Sequence, residues 1–322
     1  MKALVVAAAL SAAVIAGAQA QTYPSRVITI VVPFAAGGPT DSIGRIIAER
    51  MGATLGQTVI IENIAGAAGS IAVGRVARSE PDGYTISLGH VGTHVINGAI
   101  YPLQYDLQTD LEPIALVASN PQLIVAKKAM AANTLQEFID WLKANPDKAS
   151  EGNAGSGSPS HVMGVYFQRQ TGTRFQLVPY RGSGPVMQDL VAGQIDFSFD
   201  QAANSLPQVR SGTIKAYAVT AKARLAVAPE IPTVDEAGLP GFYMSVWHGL
   251  WVAKGTPKPV IARLSAAVNE ALADPKTRAR LVDLGQEIPS REEQTPGGLG
   301  SFQKAEIDKW WPILKAANIK AE

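Results

Sequence analysis

The sequence predicts an α/β protein built as two lobes, and three observations support this prediction. Short β-branched runs alternate with stretches of helical periodicity, the order expected of mainly parallel sheets flanked by helices. The 322 residues suffice for one large or two medium domains. The predicted strands are numerous enough for two sheets, yet no long linker separates them. Two lobes joined by more than one chain crossing fit this pattern better than two separate domains.

The first twenty residues have the pattern of a secretory signal peptide. Lys2 supplies a positive charge, residues 3–17 are uncharged and apolar, and residues 18–20 read Ala-Gln-Ala, a typical cleavage site. A membrane anchor is the alternative, but the segment ends in a cleavage signal rather than a charged stop. No later stretch is apolar enough to span a membrane. We therefore expect cleavage after Ala20 and export to a bacterial periplasm, where a chain without cysteine need not depend on disulfides.

The first elements of the mature chain follow a strand, turn and helix order. Residues 27–32 form a β-branched run too continuous for a sheet with one solvated face, which predicts a buried parallel strand. A glycine-rich turn follows, and Thr40 and Asp41 offer a helix cap. The elements predicted next are a strand at 59–63, a glycine-rich loop at 65–69, a helix through 73–77, a turn at 81–83 and a strand at 84–88.

The second half of the chain repeats this order. An apolar run at 116–127 is interrupted by Asn120 and Pro121, and Thr134 caps a predicted helix that ends before Asn145. Further along, we predict a glycine-rich loop at 152–159, a helix at 160–170, strands at 177–180, 195–199 and 216–220, and helices at 258–273, 275–284 and 296–317.

Three glycine-rich loops each follow a predicted strand and precede a predicted helix. Such a loop presents unbonded backbone N–H groups at the positive end of a helix dipole, which suits a carboxylate or phosphate. Any single loop is explained by turn geometry alone, because strand-to-helix turns use Gly, Ser and Thr anyway. Three in one chain favour an anion-binding site, with Thr40, Ser156, Ser158 and Ser160 as hydroxyl donors.

Several function classes are excluded by composition or motif. Lys and Arg total 28 against 27 for Asp and Glu, so nothing indicates a nucleic-acid partner. The absence of cysteine excludes thiolate metal sites and cysteine nucleophiles. Neither a Walker loop nor a complete dinucleotide fingerprint is present, and His90 and His94 are not part of an H-E-x-x-H pattern. We therefore expect no metal and no cofactor, and interpret the histidines as structural.

An exported hydrolase is the enzymatic alternative, because Ser158 and His161 lie near one another. No G-x-S-x-G elbow surrounds either loop serine, and a triad also needs an orienting acid. Three charged residues stand alone near the predicted loops. Asp41 is a helix cap or a cleft residue, and Arg181 pairs either with a ligand carboxylate or with a neighbouring acid. Asp200 ends a predicted strand, where open α/β sheets bind ligands, or caps the next helix.

Taken together, these segments resemble the Bug family, the extracytoplasmic solute-binding components of tripartite tricarboxylate transporters. The similarity covers nearly the whole mature chain, and its specificity comes from the order and spacing of many short pieces. It is carried by residues 23–24, 32–41, 63–69, 81–85, 155–161, 178–182, 193–196, 199–200, 218–220 and 232–238.

The resemblance implies a non-enzymatic, two-lobed periplasmic binding protein of type II-like architecture, with a hinge between two mainly parallel sheets. Lobe I would comprise residues 21–122 and 246–322, and lobe II residues 123–245. In this family two loops hold a carboxylate largely through backbone N–H groups and ordered water. The ligand-binding residues expected here are Phe34, Ala35, Ala36, Gly37, Gly38, Thr40, Asp41, Thr93, Asn97, Gly155, Ser156, Gly157, Ser158, His161, Arg181 and Asp200.

The chain departs from the family pattern at two places. Ala35 and Ala36 stand where the family commonly has two prolines, and Ala68 stands where it usually has glycine. The resemblance therefore predicts neither the rigidity of these loops nor the shape of the preferred ligand. The resemblance implies a monomer that binds a small mono- or dicarboxylate, with aromatic acids included, and docks to a membrane permease. Two alternatives stay open: the hydrolase using Ser158, and a sensor that signals to a membrane receptor.

Overall fold

The computed structural model describes residues 23–316, so the predicted signal peptide lies outside the described residues. The strands are β1 (Ile28–Val32), β2 (Val59–Asn63), β3 (Thr85–His90), β4 (Leu111–Lys127), β5 (Ser150–Asn153), β6 (Gln176–Pro179), β7 (Phe197–Gln201), β8 (Ile214–Val219) and β9 (Ser245–Ala253). The main helices are α1 (Pro39–Leu55), α2 (Ser70–Ala77), α3 (Leu135–Ala144), α4 (Pro159–Thr171), α5 (Ser183–Ala192), α6 (Ala202–Arg210), α7 (Lys258–Ala273), α8 (Pro275–Asp283) and α9 (Pro296–Ala316). Short helical turns lie at Ala67–Gly69, Gly92–Ile96 and Asn97–Ile100.

The strands form one continuous sheet in the order β2-β1-β3-β9-β4-β7-β5-β6, with β8 also paired to β4. The outer pairs are parallel, as predicted: β1 with β2 and β3, and β5 with β6 and β7. The middle of the sheet is antiparallel, because β9 pairs with β3 and β4, and β4 pairs with β7 and β8. Two parallel α/β units therefore flank a central antiparallel region.

Strand β4 connects the two parts of the sheet. Its residues 111–121 pair with β9, whereas residues 122–127 pair with β7 and β8. The interruption predicted at Asn120 and Pro121 is not there, since one strand runs through both residues. Pro121 lies opposite Ser245 where β4 changes partners, a position at which a missing N–H is tolerated.

The first α/β unit has a core that the sequence pattern anticipates. Ile28, Ile30 and Val32 of β1 are fully buried and pack in one cluster with apolar residues of α1 and α7. This burial explains why the first strand is continuously apolar, because helices cover the sheet on both faces.

The start of helix α1 differs from the prediction. Helix α1 begins at Pro39 with Gly38 as its N-cap, so Thr40 and Asp41 lie in the first turn rather than at the cap. Proline suits this first position, because its fixed φ is helical and the N–H it lacks would be unbonded anyway.

Helices α5 and α6 were not predicted, because Gly184, Pro185 and Pro207 interrupt their helical patterns.

Candidate functional site

A cavity of about 230 Å³ lies where β4 changes partners, and most of the predicted ligand-binding residues line it. The predicted residues that line it are Phe34, Ala35, Ala36, Gly37, Gly38, Thr40, Asp41, Asn97, Gly157, Ser158, Arg181 and Asp200. The first seven come from the loop and helix start after β1, whereas the last four come from the second α/β unit. The cavity therefore lies between the two units.

Four helices begin at this cavity. The first residues of α1, α4, α5 and α6, or their N-caps, all line it. The N-cap residues Gly38, Gly182 and Gln201 form no side-chain cap hydrogen bond, whereas Ser158 accepts one from the His161 N–H at 3.3 Å. First-turn N–H groups have no partner within their own helix. Four helix starts at one cavity, three of them without a side-chain cap, therefore offer first-turn N–H groups and positive dipole ends that suit an anion.

Asp41 holds the first loop in place. Its carboxylate accepts hydrogen bonds from the Gly37 N–H (2.9 Å), Arg45 Nε (2.9 Å) and Asn63 Nδ2 (3.0 Å). Burial opposes ionisation, but these hydrogen bonds outweigh it and lower the pKa of Asp41. The carboxylate is therefore ionised and already bonded within the protein, and the Gly37 N–H is used by Asp41.

The second loop is organised around the start of α4. Ser158 Oγ lies 3.0 Å from Ser160 Oγ, and His161 Nδ1 accepts the Gly157 N–H at 2.9 Å. Ser158 is the N-cap of the helix, so its hydroxyl serves the backbone. Gly157 has a φ of +79°, and a Cβ there would lie 2.2 Å from Ile100 Cδ1, so only glycine fits.

Asp200 and Arg181 bring opposite charges to the cavity. Asp200 Oδ2 accepts hydrogen bonds from Ser205 Oγ (2.5 Å) and Asn204 Nδ2 (2.9 Å), both in the first turns of α6. Burial raises the pKa of Asp200 to about 6, although these hydrogen bonds act against the shift. The Arg181 guanidinium is exposed and has neither an ion pair nor a hydrogen bond to any residue within 23–316. Arg181 is thus available to a ligand.

Four of the predicted residues do not line the cavity, and their hydrogen bonds hold the segments next to it. The Thr93 hydroxyl accepts from the His90 N–H at 3.0 Å. Gly155 adopts a φ of +113°, and its N–H donates to Asn153 Oδ1 at 3.2 Å. The Ser156 carbonyl accepts from Tyr101. His161 is the fourth, through its bond to Gly157 described above.

A second, larger cavity of about 680 Å³ lies beside α9, among Tyr243, Trp247 and Trp310. None of the predicted site residues lines it, and no helix of the described chain begins there. We therefore place the candidate site in the smaller cavity.

Comparison with known proteins identifies the family. The sequence profile described as "Tripartite tricarboxylate transporter family receptor" matches residues 43–319. The chain belongs to this receptor family.

Solved structures of the same fold agree with this assignment. The receptor resembles the periplasmic binding protein BugD, with a TM-score of 0.88 and 41% identity over 93% of this chain and all of that one. It also resembles MatC of Rhodopseudomonas palustris with bound malate, with a TM-score of 0.86 and 41% identity over 91% and 100% of the two chains. Another R. palustris protein, solved with adipate, has a TM-score of 0.88 and 32% identity over 93% and 100%. The predicted fold and family are confirmed.

Membership of a solute-binding receptor family is consistent with a ligand site made mainly of helix starts and loops. Within residues 23–316 no helix has the length and apolarity needed to cross a membrane. The same residues contain no group of three or more His, Asp or Glu placed to hold a metal ion.

The receptor's cavity also contains residues that the sequence did not indicate. Ser183 and Asn204 were missed because α5 and α6 were not predicted; a Gly-Ser-Gly-Pro run at 182–185 was the available signal. His90 was interpreted as structural, and its backbone bonds support that reading, yet its ring also lines the cavity. Ser160, predicted as a hydroxyl donor, and Pro39 of the first loop also line the cavity. Other lining residues that sequence reasoning missed are Ala68, Gly92, Gln122, Ala154, Pro159, Phe199, Gln201 and Val246.

Proposed function

We propose that this receptor captures a small carboxylate in the cavity between two lobes and delivers it to the membrane permease of a tripartite transporter. The convergence of four helix N-termini on one cavity carries the proposal, because it creates a site for an anion without a metal or a cluster of basic side chains. Mono- and dicarboxylates, including aromatic acids, are the candidate ligands. The malate and adipate bound to two relatives are carboxylates of this size class.

In this proposal the lobes are residues 21–122 with 246–322, and residues 123–245. The boundaries coincide with the point where β4 exchanges β9 for β7 and β8. A ligand that touches both lobes favours the closed state by its higher affinity for it. The closed protein, acting as a monomer in the periplasm after cleavage behind Ala20, would then dock to the permease.

The proposed contacts divide between backbone and side chain. Backbone N–H groups at the start of α1 and α4 would hold the carboxylate, with Thr40, Asn97 and Ser158 as polar neighbours. Arg181 would add a charged contact from lobe II. Asp41, Thr93, Gly155, Ser156 and His161 would act by fixing these loops, since their bonds are within the protein.

No turnover is part of this proposal. The Ser158 hydroxyl caps α4, and His161 Nδ1 accepts a backbone N–H, so neither group is arranged as a nucleophile with its base. Release to the permease would therefore return the ligand unchanged.

The test is a binding screen on protein that has been unfolded and refolded to remove any carried-over ligand. We expect one or more carboxylic acids to bind saturably in calorimetry and to raise the melting temperature. Arg181→Gln should weaken the tightest acid about 10-fold, because a charged hydrogen bond contributes about 1.5 kcal/mol or more. Arg169→Gln is the matched control, since Arg169 is exposed on α4 and does not line the cavity. Failure of a broad acid panel to bind would contradict the proposal.

A further inference from the structure

Three almost fully buried polar side chains line the cavity and take no part in the proposed carboxylate contacts, and we call them the floor residues. They are His90 of β3, Gln122 of β4 and Gln201 of β7. All three are almost fully buried, with exposed fractions of 5%, 2% and 8%. Polar groups at such depth normally have hydrogen-bond partners, so their surroundings are informative.

His90 is a fixed, neutral hydrogen-bond donor. Its Nδ1 accepts the Gly92 N–H at 2.9 Å, which places the ring proton on Nε2. Burial lowers the pKa of His90 to about 4, so the ring is uncharged at neutral pH. The ring stacks on Phe34 with centroids 4.9 Å apart and meets His248 edge-on at 5.6 Å. No residue within 23–316 accepts a hydrogen bond from Nε2, so this N–H is available to a ligand.

Gln122 and Gln201 form a pair on one face of the sheet. They lie directly opposite each other in the antiparallel pairing of β4 with β7. Both Oε1 atoms are buried without a partner, and neither Nε2 donates to any residue that the structure describes. Two buried amides left unbonded are costly, and a polar ligand group between them would satisfy both.

The charges around the floor disfavour a second anion there. Asp41, Arg181 and Asp200 are the only charged residues that line the cavity within the described chain. Asp41 is neutralised by Arg45, and Asp200 directly precedes the floor residue Gln201 in β7. A carboxylate at the floor would be desolvated near Asp200 without a buried cation to pair with, since Arg181 is exposed to solvent.

We propose that the floor is a specificity subsite for an uncharged hydrogen-bonding group at the end of the ligand remote from its carboxylate. The ligand class is then a monocarboxylate that ends in a carboxamide, hydroxyl or carbonyl group. This inference rests on the proposed function, because it assumes that the helix starts hold the carboxylate.

The test compares four acids of equal chain length by calorimetry: butanoate, succinate, succinamate and 4-hydroxybutanoate. They share one carboxylate and differ in the other end, which is apolar, charged, a carboxamide or a hydroxyl. We expect at least one of the two neutral polar acids to bind about 10-fold more tightly than butanoate and than succinate, the effect of about one net hydrogen bond.

Variants of the floor should remove this preference. The double variant Gln122→Leu, Gln201→Leu should weaken the preferred acid about 10-fold and leave butanoate within 2-fold of the wild-type value. His90→Phe keeps the ring stack but loses the donor, whereas His90→Gln keeps an N–H near Nε2 and should restore part of the preference. Gln188→Leu on the exposed face of α5 is the matched control. Melting temperatures show which variants fold. The comparison of the four acids on the wild-type protein does not depend on any variant.

The outcomes separate this inference from the proposed function. If all four acids bind equally, or if succinate binds most tightly, the carboxylate site stands and the floor proposal is overturned. A preference that survives in the folded double variant overturns it as well. Binding of none of the four acids, nor of any in the wider panel, contradicts the proposed function and this inference together.

Discussion

Glu151 is a buried carboxyl group behind the second loop. It lies on β5 with no exposed surface, and its Oε2 accepts from Asn153 Nδ2 at 3.1 Å. Asn153 in turn accepts the Gly155 N–H, so the group is linked to the loop that leads to α4. Burial raises the pKa of Glu151 to about 8, although the hydrogen bond from Asn153 acts against the shift. Glu151 is therefore protonated in the folded protein at neutral pH.

This shift makes the protein less stable as pH rises. Between the unfolded pKa of about 4.5 and the folded value of about 8, the folded state keeps a proton that the unfolded state loses. Three buried histidines act in the opposite direction over this range. The unfolded state still loses protons around the ordinary histidine pKa of about 6.5, whereas burial lowers the folded pKa of His90, His94 and His248 well below it. The histidines are present in the wild-type protein and in Glu151→Gln, so their effect cancels in the comparison. From pH 6.5 to 8 we expect the free energy of unfolding of the wild-type protein to fall by about 1.5 kcal/mol relative to that of Glu151→Gln.

Urea unfolding at pH 6.5, 7.25 and 8 checks this expectation. Glu292→Gln is the control, because Glu292 is exposed on the surface and its removal should leave the wild-type slope unchanged. Equal slopes in the wild-type protein and in Glu151→Gln would show that Glu151 is ionised in the folded state.

At the scale of elements, a hydrogen bond crosses the cleft between the two α/β units. Tyr101 follows the helical turn Asn97–Ile100, and its hydroxyl donates to the Ser156 carbonyl of the second loop at 3.1 Å. If the lobes separate, this bond is lost, so it stabilises the closed state only. We expect Tyr101→Phe to weaken binding of the tightest acid about 5-fold in calorimetry, the effect of about 1 kcal/mol.

Tyr105→Phe is the matched control for this prediction. The Tyr105 hydroxyl is buried and has no hydrogen-bond partner among the described residues, so its removal should leave affinity unchanged and slightly raise stability. Equal affinity of Tyr101→Phe and the wild-type protein, or an equal loss in both variants, would contradict a role of Tyr101 in closure.

Elements with strong local signals were predictable from the sequence. Strand β1 is a continuous β-branched run, and α3 has its Thr134 cap, which accepts from the Glu137 N–H at 3.2 Å. Helices α5 and α6 lack such signals. They are held instead by tertiary packing, in which Val186, Leu190 and Leu206 join one buried cluster. Local propensity is a weak guide where packing decides.

The same distinction applies to the cavity. The loop at Phe34 to Asp41 was predictable because glycine, proline and a helix start are adjacent in sequence. The pair Gln122 and Gln201 was not predictable, because only the register of β4 with β7 brings the two residues together. A register between strands far apart in the chain depends on the whole sheet, so no local pattern reveals it.

At the scale of the whole molecule, the proposed function requires two lobes that rotate relative to each other. The pivot would be the position in β4 where the strand stops pairing with β9 and begins to pair with β7 and β8. Asn120 lies at this change, fully buried, and its Nδ2 donates to the Gly285 carbonyl at 2.6 Å. This contact ties the lobe I end of β4 to the segment after α8. The change of partners, rather than an exposed linker, is therefore where we expect rotation.

The chain contains no cysteine, so two introduced cysteines can carry spin labels without a background signal. Lys258→Cys on α7 and Gln188→Cys on α5 place one label on the exposed surface of each proposed lobe. In pulsed electron resonance, a saturating acid from the panel should narrow the distance distribution between the labels and shift its mean. A control pair within lobe I, Lys258→Cys with Glu80→Cys, should not respond, because a rigid lobe keeps its internal distances. If the first pair also keeps its distribution when the acid is bound, binding occurs without closure, and the permease must recognise the filled site by another route.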